Sequence, residues 1–182
     1  VLYSLFFLAG LISYTRFLDE HSKKQYWWAV LFLALSIASK PAAVVFPLVL
    51  FCIDYLRSRA FTVKLFLEKA PFLVLSLIGG FLTIIGQQEA GATGEAYFSL
   101  GNNILFGFYG IMMYVWKMIL PINLAAFYPF PPINASLPAI YYIAPVFTLI
   151  LLGVLYFTWK KNKTISFGIL FYLVNLLTDF AS

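Results

Sequence analysis

The chain has 182 residues, of which 63% are hydrophobic, 20% aromatic and only 10% charged, with a net charge of +5. Its mean hydropathy is +0.92. A soluble domain carries about 25% charged residues, so the composition excludes a soluble globular enzyme, a disordered tail and, despite the positive charge, a nucleic-acid module. One His and one Cys exclude a His/Cys metal cluster and a disulfide framework. The apolar runs are too continuous for a membrane β-barrel. The expectation is therefore an all-α, polytopic helical membrane protein with about six spans.

The chain opens on Val1 with an apolar run that does not read as a signal peptide, and it stops at Ser182 just after another apolar run. The expectation is a single transmembrane domain over 1–182, truncated at both ends and drawn from a longer protein. In chain order, Val1–Tyr14 is the first candidate span and Arg16–Gln25 a polar loop. Tyr26–Ala38 and Ala42–Tyr55 are the second and third runs, separated by Ser39-Lys40-Pro41. Arg57–Lys69 is a basic connector with interleaved apolar residues, which suits a short helix lying in the membrane interface. Pro71–Ile85 is the fourth span, and Gln87–Gly101 is polar, glycine-containing and expected to be a loop. Ile104–Leu120 is apolar again. The proline-rich stretch Pro121–Pro138 cannot be one regular helix. Tyr141–Thr158 is a clear span, closed by Lys160-Lys161-Asn162-Lys163, and Ile165–Leu177 begins another.

Lysine and arginine are retained on the cytoplasmic side. Placing the Arg16/Lys23/Lys24, Arg57/Arg59/Lys64/Lys69 and Lys160/Lys161/Lys163 loops there accounts for ten of the twelve basic residues and leaves Lys40 and Lys117 outside. Under that parity 88–139 is an outer-face segment without a net crossing, and its helix, about 102–119, is interfacial or re-entrant. Asn103, Gly107, Gly110, Tyr114 and Lys117 fall on one face of that helix, at steps of 4, 3, 4 and 3. Such a small, polar stripe is either a packing seam or the wall of a cavity.

Lys40 is the most informative single residue. The arm Tyr26–Ala38 has 13 residues, which as a helix reaches roughly 20 Å against a hydrocarbon core about 30 Å thick. A hairpin tip at that depth places a lysine where it needs an anion or a watery cavity. The alternative is a snorkelling lysine that marks a helix end. Gln87, Gln88 and Glu89 offer two amides and a carboxylate at the outer end of a span, and Asn123 and Tyr128 offer polar groups within a rigid, proline-bounded element. Asn134-Ala135-Ser136 is a glycosylation sequon of little weight. Cys52 reads as an inert buried thiol, His21 as a solvated loop residue, and Asp54 as the partner of a following arginine in a local salt bridge. No residue set with metal-ligand spacing is present.

Two motif groups add a resemblance. One is Leu35-Ser36-Ile37-Ala38-Ser39-Lys40-Pro41-Ala42-Ala43-Val44-Val45-Phe46-Pro47-Leu48-Val49-Leu50 with Asp54-Tyr55. The other is Gln87-Gln88 with Gly91-Ala92, Tyr114-Val115-Trp116-Lys117, and Leu120-Pro121-Ile122-Asn123-Leu124 running to Phe127-Tyr128-Pro129. Together they resemble the membrane portion of the bacterial relatives of the transmembrane and tetratricopeptide-repeat O-mannosyltransferases, over roughly residues 1–175. These are membrane glycosyltransferases of the C-type fold.

The resemblance implies a polyprenyl-phosphate sugar donor and transfer to an acceptor, such as a protein Ser or Thr hydroxyl or a glycan, on the extracytoplasmic face of a bacterial inner membrane. It implies a catalytic acid in a loop upstream of this chain, so that the chain alone is expected to be inactive, and a divalent metal as an option in the complete protein. Lys40 is the implied phosphate contact, and Gln87, Gln88, Lys117 and Tyr128 are the implied donor or acceptor contacts. Two other functions remain open at this point: a transporter or flippase of a lipid-linked saccharide, and a non-catalytic membrane anchor.

Overall fold

The structure is a computed structural model that describes residues 1–89, 99–122, 124 and 137–176. The described residues are helical, with no strand, in the order α1 (Leu2–Glu20), α2 (Lys23–Ser39), a 3₁₀ segment (Pro41–Val45), α3 (Phe46–Leu56), α4 (Val63–Glu89), α5 (Leu100–Ile119), α6 (Ala139–Thr158) and α7 (Lys163–Leu176). They form two compact units, one of Val1–Thr93 with Lys163–Ser182 and one of Gly94–Asn162.

In the first unit α1 ends at His21, whose φ of 51° takes the left-handed conformation, and α2 starts at Lys23. So short a connection folds α1 and α2 into an antiparallel hairpin. The pairing is visible along its length: the Ser36 hydroxyl donates to the Tyr3 carbonyl at 3.1 Å, and Phe17 meets Tyr26 edge-on. Pro41 biases Lys40 toward extended backbone. Lys40 is extended, at φ −156° and ψ 128°, and α2 stops at Ser39. The chain then turns through the 3₁₀ segment into α3, which runs beside α1, with Phe7 edge-on to Phe46.

After the corner at 57–62, α4 runs parallel to α2. The Tyr26 hydroxyl donates to the Glu68 carbonyl at 2.8 Å, and eleven residues further along both helices Ile37 lies against Gly79. A Cβ at Gly79 would come within 2.6 Å of Ile37 Cγ2, and one at Gly10 within 2.9 Å of Phe46 Cζ. Small residues at these crossings let helices approach closely, which is how helices associate where lipid removes the usual hydrophobic driving force. The core is Phe7, Tyr14, Ala29, Leu33, Ala43, Phe46, Val49, Leu50, Ile53 and Phe72, with Phe167, Phe171 and Val174 of α7 packed against it.

In the second unit Ser99 caps α5, accepting from the Asn102 N–H at 3.3 Å. Tyr109 and Phe106 carry the ring contact to Tyr141 of α6. The stripe of Asn103, Gly107, Gly110, Tyr114 and Lys117 lies beside that contact on the helix surface.

Among the described residues two helices, Val63–Glu89 and Ala139–Thr158, are long and apolar enough to cross a membrane. The expected count of about six is met only to that extent: Pro41–Leu56 and Lys163–Leu176 are apolar but shorter. Both long helices display large apolar side chains outward, among them Leu77, Phe81 and Leu82 on α4 and Leu149, Ile150 and Tyr156 on α6, a surface that suits lipid better than water.

Several boundaries are corrected. Arg16–Gln25 is not a long loop, because α1 and α2 extend through it to leave only His21 and Ser22. Arg57–Lys69 is not a separate interfacial helix. It is a short corner followed by the first two turns of α4, which continues through Pro71 as one helix to Glu89. Proline can sit inside a helix whose neighbours hold it, at the loss of one hydrogen bond. Gln87, Gln88 and Glu89 form the last turn of α4 rather than a loop.

Candidate functional site

The two ends of the first unit differ in chemistry. At one end a buried ionic cluster joins α1, α3, α4 and the corner before α4. The Asp54 and Lys69 side chains are wholly buried. Arg59 reaches in from the corner with Nη1 at 2.8 Å from Asp54 Oδ1, and its Nη1 and Nη2 fork onto Glu68 Oε1 and Oε2 at 3.0 and 2.8 Å. Such bidentate pairs are the strong, geometrically specific ones. Lys69 donates to Glu68 Oε1 at 2.7 Å and to the Tyr14 hydroxyl. Its ammonium also faces Asp54 Oδ2 at 2.8 Å as a charge contact without hydrogen-bond alignment. The Tyr14 hydroxyl lies 2.9 Å from both Asp54 Oδ1 and Glu68 Oε1, and its single proton can serve one of them at a time. Hydrogen bonding to Glu68 raises the Arg59 pKa above the ordinary arginine value, opposed by partial burial and reinforced by Asp54.

Two cations and two anions cancel, and each is occupied by the others. This cluster is a fastening between helices rather than an open site. A neighbouring exposed pair, Arg57 with Asp19 at 2.6 Å, and a hydrogen bond from Lys163 to Ser58 draw the α1–α2 corner, the α3–α4 corner and the start of α7 together at this end.

The opposite end carries Lys40. It is exposed, and among the described residues its ammonium has no hydrogen-bond or ion-pair partner. Ile37 lies against Gly79, so Lys40 sits level with about residue 82 of α4, and Gln87 lies roughly 8 Å further along the axis at 1.5 Å per residue. Gln87 is half-buried, whereas Gln88 and Glu89 are exposed. Between the 3₁₀ segment with α3 and the later half of α4 runs an apolar trough of about 650 Å³, walled by Val44, Pro47, Leu48, Leu77, Phe81 and Ile84 among others. Ser76 stands in its wall with a buried hydroxyl that has no hydrogen-bond partner among the described residues. The Ile84 end of the trough points toward the Lys40 end of the bundle.

The depth argument for Lys40 is corrected. With 17 residues α2 reaches about 25 Å, closer to a full hydrocarbon thickness than the 13-residue arm suggests. Of the other expected contacts, Gln87 and Gln88 share the Lys40 end. Lys117 belongs to the second unit, where its ammonium donates to the Ile122 carbonyl at 2.6 Å and closes the end of α5. Tyr128, Asn123 and the 134–136 sequon lie outside the described residues. Cys52 is buried and His21 exposed, as their surroundings in sequence suggest. Asp54 does pair with Arg59, but Arg57 pairs with Asp19 instead.

Tyr14, Glu68 and Lys69 are the members that sequence reasoning misses, since Tyr14 reads there as the end of a span and Lys69 as one more loop cation. A signal exists: Leu65, Lys69, Phe72, Ser76 and Gly79 are the buried residues of α4, at steps of four, three, four and three along one helical seam. Pro71 hides it by suggesting that the helix starts there. Among the described residues no group of three His, Cys, Asp or Glu side chains could hold a metal ion. The carboxylates of Asp54 and Glu68 are committed to Lys69 and Arg59, so a divalent metal does not fit there.

Comparison with known proteins leaves the geometry to speak alone: no family model, curated protein or solved structure matches the chain.

Proposed function

We propose that this chain is part of a multi-pass membrane glycosyltransferase of the C-type fold, moving a sugar from a polyprenyl-phosphate donor to an acceptor hydroxyl on the extracytoplasmic side of a bacterial inner membrane. The motif resemblance suggests the reaction. The single observation that supports it most is Lys40, exposed and, among the described residues, unpartnered, at the end of the bundle nearer the Ile84 end of the apolar trough. A lipid phosphate joins the two chemistries such a place offers: an anion for the ammonium and an isoprenoid chain for the trough.

In this reading Lys40 neutralises the phosphate as the glycosidic bond breaks and charge develops on the leaving oxygen. Gln87 and Gln88 hydrogen-bond the sugar or phosphate oxygens. A base must take the acceptor's proton. Glu89 is the carboxylate that this end offers among the described residues.

The test is binding by the chain in detergent of a polyprenyl phosphate against the polyprenol of equal length. A charge-assisted contact makes the phosphate bind about tenfold tighter or more. Lys40→Ala should abolish that difference, and Lys40→Arg should keep part of it, since charge survives but shape does not. Equal binding of the two lipids, or an unchanged ratio in Lys40→Ala, overturns the phosphate role. Phosphate-selective binding without sugar transfer by membranes carrying the whole reading frame would leave a lipid-linked saccharide carrier instead.

A further inference from the structure

The chain holds a second feature of membrane chemistry at its opposite, basic end. On the exposed side of α2 a groove of about 360 Å³ is lined by Lys24, Trp27, Trp28 and Leu31. Trp27 and Trp28 are 61% and 42% exposed, yet both rings are held: Trp28 stacks on Phe32 and Trp27 sits edge-on to Tyr26. Among the described residues neither the Lys23 nor the Lys24 ammonium has a hydrogen-bond or ion-pair partner. Of the two acidic residues near this corner, Asp19 is neutralised by Arg57, leaving Glu20 against Arg16, Lys23, Lys24 and Lys64.

We propose that this groove is a docking site for an anionic phospholipid, with Lys24, assisted by Lys23, on the headgroup phosphate, the two indoles at the glycerol level and Leu31 against the upper acyl chain. Charge complementarity and order along the helix support this occupant. From Lys24 to Leu31 the groove passes through cation, amphipathic ring and aliphatic chain over about 10 Å of helix axis, the same sequence of layers that a leaflet presents from phosphate to hydrocarbon. A partner helix would be expected to want the small residues that α2 turns instead toward its own bundle, such as Ala29 and Ser36. The site is independent of the role proposed for Lys40.

The experiment uses the whole chain in phosphatidylcholine nanodiscs, with Trp116→Phe and Trp159→Phe so that Trp27 and Trp28 alone report. Brominated phosphatidylglycerol and brominated phosphatidylcholine are compared as quenchers at equal mole fraction. A lysine near an anionic surface favours the anionic lipid roughly fivefold, so phosphatidylglycerol should quench at severalfold lower mole fraction. Lys23→Gln with Lys24→Gln should remove that preference while leaving neutral-lipid quenching intact. Equal quenching by the two lipids in the unaltered pair of lysines overturns the proposal. So does an anionic preference that survives both substitutions, or the absence of quenching by either lipid, which would mean that a protein surface covers the groove.

Discussion

The two ends of the α1–α4 bundle use the same residue type in opposite ways. Lys69 is wholly buried and surrounded by Asp54, Glu68 and Tyr14, whereas Lys40 is exposed and has no partner among the described residues. A buried cation with its counter-charges close by is committed to holding helices together, because removing any one partner strands the others away from water. A cation left without partners at a helix break contributes little to the fold and is free to meet an anion. Position along the helix decides between these roles. Lys69 lies on the buried seam of α4, and Lys40 lies in the one-residue gap between α2 and the 3₁₀ segment.

Substitutions can break or sharpen that contrast. The largest effect should come from Asp54→Ala, which leaves Lys69 and Arg59 short of an anion and should cost about 3–5 kcal/mol, measured by unfolding of the chain in detergent. Asp54→Ala behaving like a surface change would remove the fastening role of the basic end. Next is Gly79→Ala, whose added methyl would meet the stiff, β-branched Ile37 at 2.6 Å. Overpacking of this kind costs about 1–3 kcal/mol, and a neutral result would show that α2 and α4 do not cross so closely.

Asp19→Ala removes only the exposed partner of Arg57, whose side chain is 44% exposed, so the same unfolding measurement should shift by about 1 kcal/mol or less. The smallest change in stability should be that of Lys40→Ala, within about 0.5 kcal/mol, even though the same variant should lose phosphate-selective lipid binding. A strongly destabilised Lys40→Ala would make the two ends alike.

Part of this was legible in the sequence. The break at Ser39-Lys40-Pro41 follows from proline's effect on its neighbour, and the structure places it there. The pairing of Asp54 with Arg59 was visible as a nearby opposite charge, and the helix of about 102–119 emerged as Leu100–Ile119. Helix ends were less legible where charges lie inside helices. Arg16, Asp19 and Glu20 look like a loop, yet they complete α1, because polar residues at the end of a helix face solvent or headgroups without interrupting its hydrogen bonds.

By itself the sequence determined that the chain is helical and strongly apolar, that α2 breaks at Ser39-Lys40-Pro41, and which charges are few enough to matter. Those properties depend on local composition and on backbone chemistry within a few residues. Only the tertiary structure decided which of those charges meet. Tyr14 and Lys69 are 55 residues apart and Arg57 and Asp19 are 38 apart, and their contacts exist because a two-residue corner folds α1 onto α2 and α4 returns parallel to α2. The direction and rotation of a packed helix are set by side chains on its neighbours, such as Ile37 against Gly79, and no local pattern encodes them.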